Sequence, residues 1–310
     1  MMARGDGVMR LDETVPGSSQ GGGTMTGAKT VRTISYPQLV RSYWIDYLVV
    51  ILMLVIFVGT SFIHPYERFI YDVELTHWLA YPTTADTIPS WSVPVYSLGV
   101  PIVTFIVVAC FVRSGHDFHQ AVIGLLFTVF TVGILTNLTK VTIGRPRPDF
   151  MSVCFLNGEP VFASNGNVLC NNLVSTPKQL RDARQSFFSG HSSVSAAGLG
   201  YLSFYLAGKL HVGDRRGHVS KLVVVLLPSI AAIFVGYTRF CNYKHHPTDI
   251  IMGLLVGFFF AYFVYRQHYP RFSDPESHLP YEFSRKRVVR QDIPLQDRPS
   301  TERPYGADVV

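Results

Sequence analysis

Six stretches of the chain carry no Asp, Glu, Lys or Arg: Tyr47–Ile63, Trp91–Val112, Ala121–Leu138, Ser192–Gly208, Leu222–Thr238 and Ile250–Tyr265. Each is 16 to 22 residues long. A helix needs ~20 mainly apolar residues to cross the ~30 Å hydrocarbon core, and uncharged flanks and tilt extend the shorter runs. Runs rich in Val, Ile and Phe suit strands by propensity, but these are too long for strands. Lipid also requires a spanning segment to satisfy its own backbone, which a helix does. Six buried helices of a soluble protein would leave too little polar surface in 310 residues. The pattern predicts an all-α integral membrane protein with six transmembrane helices over 39–268.

The flanks read differently. Residues 1–38 contain Gly17-Ser18-Ser19 and Gly21-Gly22-Gly23 and show no sustained apolar period. They also lack the apolar core of a cleavable signal peptide. Residues 269–310 are polar and carry six prolines, from Pro270 to Pro304. Both are expected to be disordered tails. Arg285-Lys286-Arg287 suits a solvated tail or contact with anionic headgroups.

Composition agrees. Only 15% of residues are charged, against roughly a quarter in soluble domains. That excludes a disordered or nucleic-acid-wrapping chain. The net charge of +6 bears first on orientation. With the N-terminus in the cytosol, the cytosolic segments hold 18 Lys and Arg and the opposite side holds 9. Both termini are therefore expected in the cytosol, with the organelle open between vacuole, Golgi, endoplasmic reticulum and plasma membrane. Four cysteines make no disulfide scaffold. Cys154 and Cys170 share one long non-cytosolic loop, where a disulfide and two free thiols both remain open. The sequon Asn137-Leu138-Thr139 lies inside the third apolar run and is expected to be unmodified.

Candidate chemistry gathers at the non-cytosolic helix ends in three patches. The first runs from Lys140 to Arg147-Pro148, the second is Ser189-Gly190-His191, and the third spans Arg239 to His245-His246-Pro247-Thr248-Asp249. Each alone has a structural reading: snorkelling cations, a helix N-cap, a His–Asp pair in a turn. Together they deliver three cations, two histidines and an aspartate to one membrane face, where ionisable groups are costly. The set suits a multiply charged oxyanion. Lys140, Arg147 and Arg239 would neutralise it. Gly190 would let the backbone approach, and the helix start with Ser189 would supply donors. His245 and Asp249 stand four apart, so on one helical face Asp249 would hold one ring nitrogen and leave the other to attack phosphorus. His191 would protonate the leaving oxygen. A rival reading takes His191, His245 and Asp249, with His246, as an iron-type ligand set. The three cations oppose a divalent ion, so no metal and no cofactor are expected.

These patches resemble the motifs of the type 2 phosphatidic acid phosphatase superfamily: Lys-x6-Arg-Pro, Pro-Ser-Gly-His and Ser-Arg-x5-His-x3-Asp. Phe188 stands where Pro is usual, and Thr238 where Ser is usual. The similarity covers about residues 40–270. His64-Pro65-Tyr66-Glu67-Arg68 and Tyr81-Pro82-Thr83-Thr84 look like the first lumenal loop of fungal diacylglycerol pyrophosphate phosphatases. The resemblance implies a Mg²⁺-independent lipid phosphate phosphatase acting on diacylglycerol pyrophosphate and phosphatidate through a phosphohistidine. It implies His245 as nucleophile, Asp249 as its orienter and His191 as general acid. Lys140, Arg147, Ser189, Gly190 and Arg239 would bind phosphate. Phospholipid substrates in the bilayer are the expected partners, with no nucleic acid and the oligomeric state open. Two alternatives stand beside this: a phosphatase for a sphingoid or polyprenyl phosphate, and a non-catalytic lipid-binding protein.

Overall fold

The computed structural model describes residues 41–155, 159–172, 174–214 and 216–281. Residues 1–38 and the end of the chain from 282 lie outside the described residues. Those described form helices and loops without a strand; one isolated bridge joins Phe162 to Val168.

We number the helices α1 (Trp44–Thr60), α2 (Asp72–Trp78), α3 (Ser92–Val112), α4 (Gly115–Ile143), α5 (Phe150–Cys154), α6 (Pro177–Asp182), α7 (Gly190–Lys209), α8 (Val219–Cys241) and α9 (Pro247–His268). All six charge-free runs fall on helices. Four of these helices, α3, α4, α8 and α9, are long and apolar enough to cross a bilayer. The 17-residue α1 is apolar but shorter. The 20-residue α7 is diluted by Ser and Gly because it is surrounded by protein.

Helix α7 is the axis of the bundle. It packs against α9, α8, α4 and the start of α3. Small residues make the approach close: a Cβ at Gly257 of α9 would sit 2.4 Å from the Ser193 carbonyl oxygen. The core between them holds Phe105, Leu125, Tyr201, Tyr205 and Tyr265. The outer faces of α1, α3, α8 and α9 expose Ile51, Val103, Leu227, Phe234 and Phe259. That apolar exterior suits lipid rather than water.

Alternating helix directions bring the end of α4, the start of α7, the end of α8 and the start of α9 to one end of the bundle. There α2, α5 and α6 form a small cap with its own core, built on Ile70, Leu75, Leu79, Phe150 and Phe155. Cys154 and Cys170 are joined by a disulfide within it. Asn137 ties α4 to α1 by donating from Nδ2 to Ser61 Oγ at 3.0 Å and Thr60 Oγ1 at 3.2 Å.

At the opposite end, residues 269–281 differ from the expected disordered tail. Tyr269 and Ser277 are buried. The Tyr269 hydroxyl donates to Asp117 Oδ1 at 3.0 Å, and Phe272 stacks on Tyr265. Asp117 is also paired with Lys209 at 2.6 Å and accepts from Tyr205 at 2.8 Å. Aromatic residues at 269 and 272 find a surface that a polar, proline-rich composition does not reveal.

Candidate active site

The first patch leaves α4 through Gly144, whose φ of +58° caps the helix in the left-handed region. A Cβ there would also lie 1.8 Å from the Tyr66 carbonyl oxygen. Glycine therefore satisfies both constraints. The turn sends Lys140 inward from the last helical turn and hangs Arg145 and Arg147 on the segment beyond. That segment is pinned by backbone bonds, with Ser186 N–H donating to the Arg145 carbonyl at 2.9 Å and Arg147 N–H to that of Ala183 at 2.8 Å.

The second patch begins α7. Ser189 is its N-cap, and its hydroxyl oxygen accepts the Ser192 N–H at 3.3 Å. The first N–H groups of the helix lack intrahelical acceptors and point out of its start. A Cβ on Gly190 would sit 3.5 Å from Lys140 Nζ, so the first and second patches meet here. His191 Nε2 lies 3.2 Å from the Ile88 carbonyl oxygen. A carbonyl only accepts, so this nitrogen carries the proton.

The third patch is a turn. Arg239, 2% exposed, donates to Asp86 Oδ1 and to Asn242 Oδ1, each at 3.0 Å. His245 is buried, and its Nδ1 donates to the Ser186 carbonyl at 2.7 Å. Its Nε2 therefore keeps a lone pair while the ring is neutral. Burial pushes the His245 pKa down to about 3; the Asp249 carboxylate opposes this, and Arg147 and Lys140 add to it. Burial, with Arg145 alongside, also lowers that of His246.

Asp249 stands within ion-pair range of His245, as the spacing suggested, but does not hydrogen-bond its ring. Their Nδ1 and Oδ2 atoms are 3.8 Å apart, beyond hydrogen-bonding distance. The physical reason is that α9 begins at Pro247 with His246 as its extended N-cap, so His245 stands outside the helix. Asp249, fully buried, instead accepts from Arg145 at 2.5 Å, from Ser186 Oγ at 2.6 Å and from the His246 N–H at 3.0 Å. Ser186 touches both residues, its hydroxyl donating to Asp249 and its carbonyl accepting from His245. Arg145 and Ser186 were missing from the sequence-based set. Arg145 lies inside the first patch but outside its motif positions, and nothing in Ser186 as a letter marks it.

Cations around the site divide into two groups. Arg145 pairs with Asp249, Lys244 with Asp149 at 2.6 Å, and Arg239 with Asp86. Lys140 and Arg147 pair with no carboxylate among the described residues, and the Nε atoms of Arg147 and Arg239 are buried without a hydrogen-bond partner. The ligand set of the metal reading does not converge: His191 and His245 bond to carbonyls and Asp249 is taken by Arg145. Among the described residues no group of three His, Cys, Asp or Glu side chains is placed to hold a metal. An open groove of about 690 Å³ lies beside Arg145 and His246, walled by Tyr71, Val73 and Trp78.

Comparison with known proteins gives a consistent picture. The family model described as "PAP2 superfamily" matches residues 121–273. The chain is 40% identical to "Lipid phosphate phosphatase 2" of Arabidopsis thaliana, over 83% of this chain and 87% of that protein. It is 37% identical to "Lipid phosphate phosphatase 1" of the same plant, over 81% and 75%. It is 31% identical to "Diacylglycerol pyrophosphate phosphatase 1" of Saccharomyces cerevisiae, over 76% and 82%. No solved structure matches.

Proposed function

We propose, from the premise that this chain belongs to the PAP2 superfamily and within it to the lipid phosphate phosphatases, that it converts diacylglycerol pyrophosphate to phosphatidate and phosphatidate to diacylglycerol. The chemistry runs without Mg²⁺ at a site facing the lumen or exterior. Six helices span the bilayer, with α1 and α7 joining the four apolar spans and both termini cytosolic. A phosphatase is what the printed names of these relatives share, and the yeast relative's name supplies the pyrophosphate lipid.

One observation carries the reading. Lys140 and Arg147, two cations that pair with no carboxylate among the described residues, stand by a buried neutral histidine whose Nδ1 proton is held by Ser186. Phosphate would be neutralised by Lys140, Arg147 and Arg239 and receive N–H donors from Gly190 at the start of α7, with Ser189 shaping that turn. His245 Nε2 gives its lone pair to phosphorus. The bond to the leaving oxygen breaks, and its electron pair takes a proton from His191. Water then attacks the phosphohistidine, His191 removes its proton, and inorganic phosphate leaves with His245 restored. Asp249, through Ser186 and the His246 N–H, fixes the turn that presents His245. The lipid tails lie along the apolar helix faces, and Tyr71 and Trp78 flank the groove at the level of the headgroups.

Phosphate release by the purified protein in EDTA, on matched diacylglycerol pyrophosphate, phosphatidate, sphingoid phosphate and polyprenyl phosphate micelles, tests this. Turnover of the two glycerolipids ahead of the others is expected. No release from any lipid would leave a binding protein, and preference for another lipid would move the substrate class.

A further inference from the structure

The loop between α2 and α3 is bound to the active site more closely than a connection needs to be. Tyr81 stacks on Tyr243 at 4.8 Å, and Thr84 Oγ1 donates to the Asn242 carbonyl at 2.8 Å. Asn242 Nδ2 donates to the Ala85 carbonyl at 2.8 Å. Asp86 then takes Arg239, and Ile88 takes His191. One loop thus reaches a phosphate-binding cation and the general acid assigned above.

The Asp86 pair is unlike the other two ion pairs of the site. Asp249 and Asp149 have side chains 0% and 2% exposed and are fixed parts of the structure. The Asp86 side chain is 33% exposed, on a loop, while Arg239 beneath it is 2% exposed. Arg239 also keeps Nε buried and unpartnered, so its fork is only partly used by Asp86 and Asn242. A carboxylate at this place competes with any anion for the same guanidinium.

We propose that Asp86 is a positioning residue that exchanges with phosphate on Arg239: it withdraws as the substrate phosphate binds and returns as inorganic phosphate leaves. This rests on the assignment of Arg239 to phosphate binding. Three uncompensated cations would hold the product anion strongly, whereas a partly exposed carboxylate on the loop offers Arg239 a replacement partner and sets an upper limit on phosphate affinity. A like charge near an anion in a partly buried site changes affinity by about tenfold. Asn at 86 keeps an acceptor for Arg239 but removes the charge, so the loop stays anchored while the competition weakens.

The test measures inhibition by inorganic phosphate and by vanadate, with KM and kcat on phosphatidate micelles, for wild type, Asp86→Asn, Asp86→Ser, Asp86→Glu and Thr84→Val. Asp86→Asn should tighten both inhibition constants about tenfold and lower KM, without raising kcat. Asp86→Ser reads the same sign should the Asn variant fold poorly. Asp86→Glu should stay within about threefold of wild type. Thr84→Val, which loosens the same loop without altering charge, should leave the inhibition constants within about twofold. Unchanged or weaker phosphate and vanadate inhibition in both Asp86→Asn and Asp86→Ser overturns the proposal, as does equal tightening in Thr84→Val. A wild type that neither releases phosphate nor responds to either anion instead removes the phosphatase reading itself.

Discussion

At the scale of residues, the centre of the site is the buried carboxylate of Asp249. It neutralises Arg145, accepts the Ser186 hydroxyl and the His246 N–H, and its charge lies 3.8 Å from the His245 ring. Arg145→Gln leaves a buried charge uncompensated. It should destabilise the protein by about 1–3 kcal/mol, below the figure for a fully buried pair because the Arg145 side chain is 29% exposed. The freed negative charge also favours protonated His245, so the acid limb of kcat/KM should move to higher pH. A pH–rate profile and a melting curve check both, and a fall in activity with an unmoved acid limb would reduce Arg145 to a fold-stabilising role. Titration of His245 itself has a defined sign. Its native pKa of about 3 lies below the ordinary 6.5, so the unfolded chain binds the extra proton between those values. The contribution to stability is present above pH 6.5 and is lost progressively as pH falls toward 3. His245→Gln should lessen the slope of stability against pH in that window by up to one proton, about 1.4 kcal/mol per pH unit. The charged motif residues were legible from the sequence because ionisable groups at helix ends near lipid have few structural excuses. The Ser186 carbonyl was not, since a backbone acceptor has no letter; the His245–Asp249 spacing brought the two side chains to 3.8 Å, but the Nδ1 hydrogen bond goes to that carbonyl because His245 stands just outside the helix.

Elements were easiest to read where lipid imposes them. Charge-free runs mark α1, α3, α4, α7, α8 and α9, because each helix must meet either lipid or another helix. The cap was not legible: α2, α5 and α6 are five to seven residues long, and their stability comes from contacts distant in sequence. The cap core buries Cys154 beside Phe150, three residues after Arg147. The cap therefore braces the segment that carries Arg147. Removing its disulfide by paired Cys154→Ser and Cys170→Ser substitutions opens a loop of 16 residues and should cost about 3 kcal/mol on the chain-entropy model. Chemical denaturation in detergent, followed by circular dichroism, would read the loss. Stability unchanged within 0.5 kcal/mol or so would show that the apolar core of the cap suffices by itself.

The molecule as a whole places one polar site at one end of an apolar bundle, and a second buried network around Asp117 at the other. The cation bias of the sequence predicts that the site faces the lumen or exterior. Asn165 is exposed in the cap loop. In a background lacking only the free cysteines Cys110 and Cys241, Asn165→Cys should react with an impermeant thiol reagent from that face. Labelling from the cytosol alone would invert the topology. The central claim is the division of labour between the two histidines, and leaving-group chemistry tests it most directly. Phosphatidate releases an alkoxide, whose conjugate acid is nearly as weak as water at pKa ~15.7. Diacylglycerol pyrophosphate releases a phosphate monoester with a second pKa of ~6, which departs with little proton help. The measurement is kcat/KM for both lipids in matched micelles, for wild type, His191→Ala and His245→Ala. General acid assistance is worth about 10²–10⁴-fold. His191→Ala should therefore lose roughly that factor on phosphatidate and much less on the pyrophosphate, while His245→Ala should lose both activities. Equal losses on the two lipids in His191→Ala, or turnover surviving in His245→Ala, would contradict the account.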